Sequence, residues 1–242
     1  MIVSRQNALI KNIRSLFDKK NRDDQGLYLV ESVKLVNEAV KSQDVTLLLG
    51  TEKGISQING YTGRVETVSD GIFEYVSAEK TPQGVLAIVK KPQSVTAEGG
   101  NCLFLDGVSD PNNVGAIIRT CACAGYRDVY LSNCADAYSP KTVRASMGGI
   151  FRVNIFSGDR EELYEKVKDK QIIIADMGGN NVFTTRIDGE FCLVLGNEGN
   201  GVSDFMKSRA NKTVSIPMHN EMESLNVSVS AGILMYNLIK ND

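Results

Sequence analysis

The sequence holds a single histidine, His219, and its five cysteines form no Cys-x-x-Cys pair. These absences argue against a zinc cage and against a nucleophilic triad built on histidine, because both depend on those side chains. Any chemistry must therefore use Asn, Arg, Glu or Ser side chains, or backbone groups. The cysteines are odd in number and lie mostly inside apolar runs, which indicates reduced core residues rather than disulfides.

Long apolar runs are also missing. No stretch reaches the roughly 18 residues of a membrane span, and the start, MIVSRQNALIKNIRSLF, lacks the apolar core of a signal peptide. We therefore expect a cytoplasmic protein. The 242 residues are 42% hydrophobic and 23% charged, as in an ordinary globular chain with one large domain or two compact ones.

The net charge of −2 does not by itself indicate a nucleic-acid-binding protein. Residues 1–22, however, contain six basic residues and one acidic residue. Such a segment can neutralise phosphates. It also fits a solvated amphipathic helix, because its apolar residues recur at helical spacing.

The nucleotide-binding motifs are absent as well. A dinucleotide site needs GxGxxG between the first strand and a helix, whereas residues 196–201 read GxxGxG and follow a strand near the carboxyl terminus. No GxxxxGK[ST] motif is present. NAD and nucleotide-triphosphate chemistry are therefore disfavoured.

Apolar runs and capping residues predict an alternation of strands and helices. The predicted strands are residues 26–30, 45–49, 63–68, 84–89, 102–105, 129–131, 151–156, 172–175, 191–195 and 213–216. The predicted helices are residues 8–20, 32–41, 70–77, 114–125 and 161–168, one that opens at Ser139-Pro140, and one that ends near Ile239. This alternation predicts an α/β fold with a parallel sheet covered on both faces.

A polar stretch that contains Pro92, Gly99 and Gly100 interrupts this pattern. It has the composition of a linker. We therefore predict a small α/β domain over residues 1–90, a linker over residues 91–100 and a second α/β domain over residues 101–242.

Two predicted strands end in residues that suit a ligand site. Gly196, Gly199 and Gly201 follow the strand at 191–195, and Pro217 follows the strand at 213–216. Glycine lets the backbone approach a ligand closely because it has no Cβ. Open α/β sheets bind ligands at the edge where their strands end. The sequence therefore predicts a binding site at this edge.

Three motifs resemble those of a known family. Asn113-Val-Gly-Ala-Ile-Ile-Arg119, Leu195-Gly-Asn-Glu-Gly199 and Ile216-Pro-Met…Glu223-Ser-Leu-Asn-Val-Ser228 are similar, in order and spacing, to the motifs of the SpoU (TrmH-type) RNA ribose 2′-O-methyltransferases of the SPOUT superfamily. The resemblance implies a carboxyl-terminal parallel sheet with a deep trefoil knot, S-adenosylmethionine as the methyl donor, no metal, and a homodimer. Residues 1–90 more loosely resemble the family's L30e-type RNA-binding domain, which favours ribosomal RNA as the substrate over transfer RNA.

The resemblance also implies site residues. The catalytic residues are expected to be Asn113, Arg119, Glu198, Ser224 and Asn226, and the residues expected to hold the donor are Met177, Gly178, Gly196, Ile216 and Leu225. Since a free guanidinium stays protonated above about pH 12, we favour phosphate positioning and charge stabilisation for the arginine rather than a role as base. On spacing alone, a helix cap is the preferred interpretation of Asn113, and Ser224 and Asn226 also fit helix caps.

Two alternatives remain open at this point: an RNA-binding module of the same fold without activity, and a small-molecule enzyme on a similar fold. The complete set of five polar site residues favours the enzyme. Two positions depart from the family, since Asn220 and Ser32 stand where glycine is usual. Asparagine tolerates left-handed backbone, so the loop at Asn220 is expected to keep its shape. Arg144 fits a contact with an RNA phosphate and an ordinary surface role equally well.

Overall fold

The computed structural model describes residues 1–93, 95–219 and 224–239, which form two β-sheets. Within these ranges no helix has the length and apolar character needed to cross a bilayer.

The first sheet lies in the amino-terminal part of the chain. Its strands are β1 (Leu27–Glu31), β2 (Val45–Gly50), β3 (Val65–Thr67) and β4 (Val85–Lys90). The accompanying helices are α1 (Ala8–Ser15), α2 (Lys19–Gln25), α3 (Val33–Ser42), α4 (Glu52–Ile55) and α5 (Asp70–Val76). The strand order is β1–β4–β2–β3, with β4 antiparallel to both of its neighbours and β2 parallel to β3.

The second sheet has six parallel strands in the order β10–β8–β9–β5–β6–β7. They are β5 (Cys102–Asp106), β6 (Asp128–Ser132), β7 (Asn154–Ser157), β8 (Gln171–Asn181), β9 (Phe191–Gly196) and β10 (Lys212–Ser215). Its helices are α6 (Pro111–Ala124), α7 (Pro140–Ala145), α8 (Arg160–Glu165), α9 (Asp204–Lys207) and α10 (Val227–Leu238). Apolar clusters cover both faces, one involving α6 and α10 and the other α8 and α9. The predicted α/β fold with a covered parallel sheet is confirmed.

The two sheets share one apolar core. Alternate residues of β1 and β4 point to opposite faces, so one face packs on α1 and α5 while the other packs on α3 and joins the core of the second sheet. Tyr28 of β1 lies with its ring centroid 5.0 Å from that of Tyr138. The buried Arg22 donates from Nε to Asp136 over 3.0 Å. Apolar and ionic contacts therefore both fix the orientation of the first sheet on the second.

The predicted single helix over residues 8–20 is wrong. Two helices occupy this region because Asp18, in extended backbone, accepts a hydrogen bond from the backbone N of Asn21 and starts α2. The amphipathic pattern continues through the break, and no glycine or proline marks it.

Other boundaries differ as well. The strand predicted over residues 151–156 begins only at Asn154, because the left-handed backbone at Met147 and Gly148 turns the chain into a 3-10 helix at Gly149–Phe151. The helix predicted from Val114 begins at Pro111, with the side chain of Asp110 as its cap. The strand predicted over residues 172–175 extends to Asn181.

The trefoil knot stays a prediction, and residues 220–223 lie outside the described residues. The expected loop conformation at Asn220 lies outside them too.

Candidate functional site

Four segments meet at the carboxyl edge of the six-stranded sheet. The strands β10, β8, β9 and β5 are parallel neighbours, so they end side by side. Residues 216–219 follow β10, residues 197–203 follow β9 and residues 107–110 follow β5. The fourth segment lies within β8, where the pairing with β10 jumps from Ile174 to Asn180 and leaves residues 175–179 outside the ladder. This edge brings together most of the predicted site residues.

The side chain of Asn113, on α6, connects one of these segments, the loop after β9, with the start of α10. Its Nδ2 donates to Oε1 of Glu198 over 2.9 Å, and its Oδ1 accepts from Nδ2 of Asn226 over 3.0 Å. Asn226 in turn caps α10 by accepting from the backbone N of Ser228. Asn113 is not a cap, because Asp110 fills that role and leaves the Asn113 amide available. Three predicted site residues thus form one hydrogen-bonded group.

Glu198 is held as a carboxylate by this group and by the segment after β5. The backbone N of Ser109 donates to its Oε2 over 3.4 Å. Burial acts to raise the pKa of Glu198, but the hydrogen bonds from Asn113 and from backbone N–H groups outweigh burial, and the pKa is lowered. The negative charge makes the bond from Asn113 charge-assisted, which strengthens it.

Asn197 organises the glycine loop and was missed by the sequence reasoning. Its Oδ1 accepts from the backbone N of Gly199 and of Asn200, and its Nδ2 donates to the backbone O of Gly107 over 2.8 Å. Asparagine side chains commonly bond to backbone two residues further on. An asparagine two positions before a glycine was the signal that could have identified it.

Gly196 allows the loop to close on itself. A Cβ placed there would lie 2.1 Å from the backbone C of Gly201, far inside contact distance. Gly201 has a φ of +67°, which favours glycine. By contrast, a Cβ at Gly199 would meet nothing nearer than 3.6 Å. The two glycines at the ends of the loop are needed for its shape, and the middle one is not.

A buried carboxylate anchors the far end of the same loop. Asp106 is the last residue of β5 and lies opposite Gly196 in the strand register. It accepts from Nε of Arg160 over 2.7 Å and from the backbone N of Ser203 over 2.9 Å. The sequence reasoning missed Asp106, although a single acid at the end of an apolar strand was visible.

The residues predicted to hold the donor include two exposed apolar side chains and an open backbone. Met177 is 73% exposed and Leu225 is 39% exposed. A Cβ built on Gly178 would have no atom within 4 Å. Ile216 is half-buried and packs on the core. Apolar surface beside backbone that no side chain covers fits the adenine and methionine parts of S-adenosylmethionine, so the residues present are compatible with this donor.

An ion pair holds the segment that carries Met177. Asp176 lies 3.2 Å from Nζ of Lys207 in α9, and it accepts from the backbone N of Gly178. Burial acts to raise the pKa of Asp176, but the bonds from Lys207 and from the backbone outweigh it and lower the pKa. The charged pair therefore ties this segment to the helix that follows the glycine loop.

Arg119 does not join the hydrogen-bonded group. It lies six residues after Asn113 on α6, which corresponds to a rise of about 9 Å and a direction about 120° away. Its side chain is exposed, and among the described residues no hydrogen bond or ion pair involves it. Ser224 is likewise exposed, with no hydrogen bond to its side chain in the described part of the chain.

An exposed apolar surface lies on and beside α10, the helix that packs on α6. On α10, Val229 is 49% exposed and Tyr236 is 55% exposed, and Phe183 beside the helix is 59% exposed. Asn237 of α10 donates to the backbone O of Val182, which holds Phe183 next to the helix. Since α10 packs on α6, this α10 surface, made of Phe183, Leu225, Val229 and Tyr236, adjoins the helix that carries Arg119.

Comparison with known proteins identifies matches along nearly the whole chain. Residues 100–236 match the family described as the SpoU rRNA Methylase family. Residues 7–87 match a domain described as the MRM3-like substrate binding domain.

Individual relatives match at similar length. The 23S rRNA (guanosine(2553)-2'-O)-methyltransferase RlmP of Bacillus subtilis is 30% identical over 98% of each chain. The crystal structure of an AdoMet-bound rRNA methyltransferase from Sinorhizobium meliloti has a TM-score of 0.86 and 27% identity, and covers 98% of this chain and 95% of that one. A solved RNA 2'-O ribose methyltransferase has a TM-score of 0.84 and 25% identity, over 98% of this chain and 96% of its own.

Proposed function

The chain belongs to the SpoU rRNA methylase family, and we propose that it transfers a methyl group from S-adenosylmethionine to a ribose 2′-hydroxyl of ribosomal RNA. The family resemblance predicted from the three motifs is confirmed by the match over residues 100–236. One observation carries the proposal: Asn113, Glu198 and Asn226, one from each motif, form a single hydrogen-bonded group at the edge of the sheet. The relative from Bacillus subtilis is named for methylation of 23S rRNA, which favours ribosomal RNA as the substrate.

The reaction needs a donor and an acceptor held in line. Bound S-adenosylmethionine supplies an electrophilic methyl group on a sulfonium. Gly196 allows the loop after β9 to close on itself, and the hydrogen bonds of Asn197 hold its shape. This rigid loop would form one side of the donor site. Fixing the two reactants at near-attack distance is worth several kcal/mol, up to about 7–11 in favourable cases. The site therefore acts mainly by positioning.

As the bond from the 2′-oxygen to the methyl group forms, the bond from the sulfonium to that methyl group breaks and leaves a neutral thioether, and the proton of the 2′-hydroxyl passes to solvent water. A guanidinium is a poor base because it stays protonated above about pH 12. We assign Arg119 to the RNA phosphate next to the reacting ribose, where its charge orients the nucleotide and offsets the negative charge that develops on the oxygen. Ser224, exposed close to the same edge, is assigned to binding the hydroxyl.

A second copy of the chain completes this assignment. Within one chain Arg119 lies away from the Asn113 group, but it is exposed on α6, the helix on which α10 packs. Apolar side chains on a contiguous helix face favour burial against a partner. We propose a homodimer formed through the α10 surface, which brings Arg119 to the site of the second copy. The proposal places the enzyme in the cytoplasm with its RNA.

Transfer of labelled methyl groups tests the function. Purified protein is incubated with labelled S-adenosylmethionine and either unmodified 23S ribosomal RNA or unmodified transfer RNA, and ribose methylations are mapped. We expect one methylated ribose in the ribosomal RNA, and loss of the label with Arg119→Ala. If only transfer RNA accepts the methyl group, the substrate is transfer RNA and not ribosomal RNA. A protein that binds no S-adenosylmethionine by calorimetry, with or without RNA, would be the inactive RNA-binding module instead.

Light scattering tests the dimer. We expect twice the chain mass of 26.4 kDa for the wild type. We expect the double variant Val229→Asp, Tyr236→Glu to give the monomer mass. Dimerisation would bury the two introduced carboxylates without an opposite charge to pair them, and burying unpaired charges is costly. Val3→Asp, which changes an even more exposed apolar residue near the amino terminus, serves as the control. A monomeric wild type would contradict the proposal.

A further inference from the structure

Two arginines of the first domain are stacked on aromatic rings. Cζ of Arg5 lies 4.7 Å from the ring centroid of Tyr75. Cζ of Arg14 lies 5.1 Å from the same centroid and 4.5 Å from that of Phe17. Both rings are half-buried, so they are fixed to the domain, and both arginines are exposed. We call these four residues the stacked-arginine surface.

The charges of this surface are not neutralised. Among the described residues neither Arg5 nor Arg14 forms an ion pair or donates a hydrogen bond, although α5 carries Asp70 and Glu74 nearby. Other arginines of the chain are paired with carboxylates, among them Arg22 with Asp136, Arg64 with Glu66, Arg144 with Glu79 and Arg152 with Glu38. Stacking occupies the flat face of a guanidinium and leaves its N–H edge free. That edge is the one that donates to phosphate.

Two exposed lysines add positive charge near this surface. Lys11 lies three residues before Arg14, on the same side of α1, and is exposed. In the described part of the chain no ion pair involves it. Lys20, exposed in the first turn of α2, continues the positive charge along the chain. The surface therefore presents several uncompensated cations to one partner.

A series of ion pairs and hydrogen bonds connects the helices near this surface with the edge of the sheet that carries Glu198. Arg22 of α2 is paired with Asp136, in the segment that follows β6. In the same segment, the backbone N of Ala135 donates to the backbone O of Val108 over 2.9 Å. The neighbouring Ser109 donates to Glu198. The helices that bear the cations are thus bonded to the segments that form the site.

Resting on the proposed function, we propose that the stacked-arginine surface binds phosphates of the ribosomal RNA substrate at a distance from the methylated ribose. Planar donors beside aromatic rings suit RNA, because phosphates accept from guanidinium edges and unpaired bases stack on arginine and aromatic planes. An acidic peptide offers carboxylates but no bases to stack, so the aromatic component favours RNA.

The salt dependence of binding tests the proposal. The double variant Arg5→Gln, Arg14→Gln is compared with the wild type by filter binding to unmodified 23S ribosomal RNA. The KCl concentration is varied from about 50 to about 200 mM, because phosphate contacts make the affinity fall measurably over this range. We expect the affinity near 100 mM to fall by about tenfold or more, and the slope of log K against log[KCl] to shrink by about 1.4–1.8, for two lost phosphate contacts.

A control of equal charge separates local contact from net charge. Lys53→Gln with Lys168→Gln removes two exposed cations elsewhere and is expected to leave the slope within about 0.5 of the wild type. Tyr75→Leu keeps both charges and the apolar packing but removes the ring. It is expected to weaken binding severalfold with the slope unchanged. Calorimetry with S-adenosylmethionine, expected to match the wild type in every variant, reports on the folded site.

The outcomes separate this proposal from the proposed function. In methyl transfer, the double arginine variant is expected to raise KM for the RNA and to keep kcat. If it binds and methylates like the lysine control while the wild type is active, the stacked-arginine surface has no role in RNA binding and the proposed function stands. If the wild type transfers no methyl group to any RNA, both fail.

Discussion

Asn226 and Asn113 are 113 residues apart in the sequence, and their side-chain amides meet at 3.0 Å. Through Asn113 the contact reaches Glu198, and through the cap of α10 it reaches Ser228. One line of hydrogen bonds therefore joins the start of α6, the glycine loop and the start of α10. The geometry of all three depends on its central member.

Asn113→Ala is expected to lower methyl transfer by about 10–100-fold, because small displacements of positioning groups have effects of this size. It removes one charge-assisted bond and one neutral bond at a partly exposed site, so the free energy of unfolding should fall by about 1 kcal/mol. Labelled-methyl assays and urea denaturation measure the two effects. Asn112→Ala, one residue away and exposed, is the control; an equal loss there would contradict the role of Asn113.

Acid should remove the stabilisation that Glu198 provides. Its pKa in the folded chain is lowered from the ordinary value of 4.5. The contribution is therefore complete above pH 4.5 and is lost as the pH falls through the lowered folded value. Because the side chain is exposed, it amounts to less than about 1 kcal/mol.

Glu198→Gln measures this contribution directly. The difference in unfolding free energy between the wild type and the variant should be constant from pH 6 to pH 8, well above the ordinary value of 4.5, and should shrink below that value. Urea titrations at each pH give the difference. Glu162→Gln, an exposed glutamate on α8, serves for comparison. A difference that grows in acid would mean that the carboxylate is not held as described.

Gly196→Ala is expected to reduce the affinity for S-adenosylmethionine by at least about tenfold, since overpacking against a backbone forces shifts that cost about 1–3 kcal/mol. The added Cβ would lie 2.1 Å from the backbone C of Gly201. Gly199→Ala adds the same methyl group in the same loop with its nearest contact at 3.6 Å, so it should bind the donor like the wild type. Calorimetry on both variants decides; similar losses would indicate that the loop is adjustable.

Ser32→Gly should stabilise the protein. Ser32 has a φ of +95° and a ψ of 146°, a region that is nearly restricted to glycine and costs about 1–3 kcal/mol for other residues. The gain is reduced by the lost cap on Leu35 and by the greater freedom of glycine in the unfolded chain. We expect a net increase of about 1 kcal/mol in the unfolding free energy.

Ser32→Ala is expected to change the unfolding free energy in the opposite direction, which separates the backbone strain from the loss of the cap. It keeps the Cβ in the unfavourable conformation and removes the cap, so the unfolding free energy should fall by about 1 kcal/mol. Urea denaturation of both variants is sufficient. If glycine destabilises more than alanine, the conformation at Ser32 is not strained. The structure also explains why glycine is usual in the family at this position, because the φ of Ser32 is positive.

The features that the sequence predicted are those encoded over a few neighbouring residues. Apolar runs identified the strands, Pro140 located the start of a helix, and the glycines after β9 located the edge of the sheet where most of the predicted site residues meet. The break between α1 and α2 was missed because the cap at Asp18 outweighs an apolar pattern that continues across it.

Contacts between distant residues could not be predicted in the same way. Nothing near Asn113 indicates that its amide meets Asn226, and nothing near Arg22 indicates its pairing with Asp136. Helical spacing alone places Arg119 about 120° around α6 from Asn113, but it does not tell which of the two faces Glu198, because that depends on how α6 is rotated against the sheet. These features follow from tertiary packing and not from local pattern.

The apolar core shared by the two sheets bears on how a substrate is chosen. Turning one sheet against the other would part Tyr28 from Tyr138 and break the buried pair of Arg22 and Asp136, and breaking a buried ion pair alone costs about 3–5 kcal/mol. The distance between the amino-terminal helices and the site for the methyl donor is therefore fixed by the fold. Under the proposed binding of RNA by the stacked-arginine surface, an RNA would have to present its points of attachment at that separation, so selectivity would lie in the folded shape of the nucleic acid rather than in adaptation by the protein.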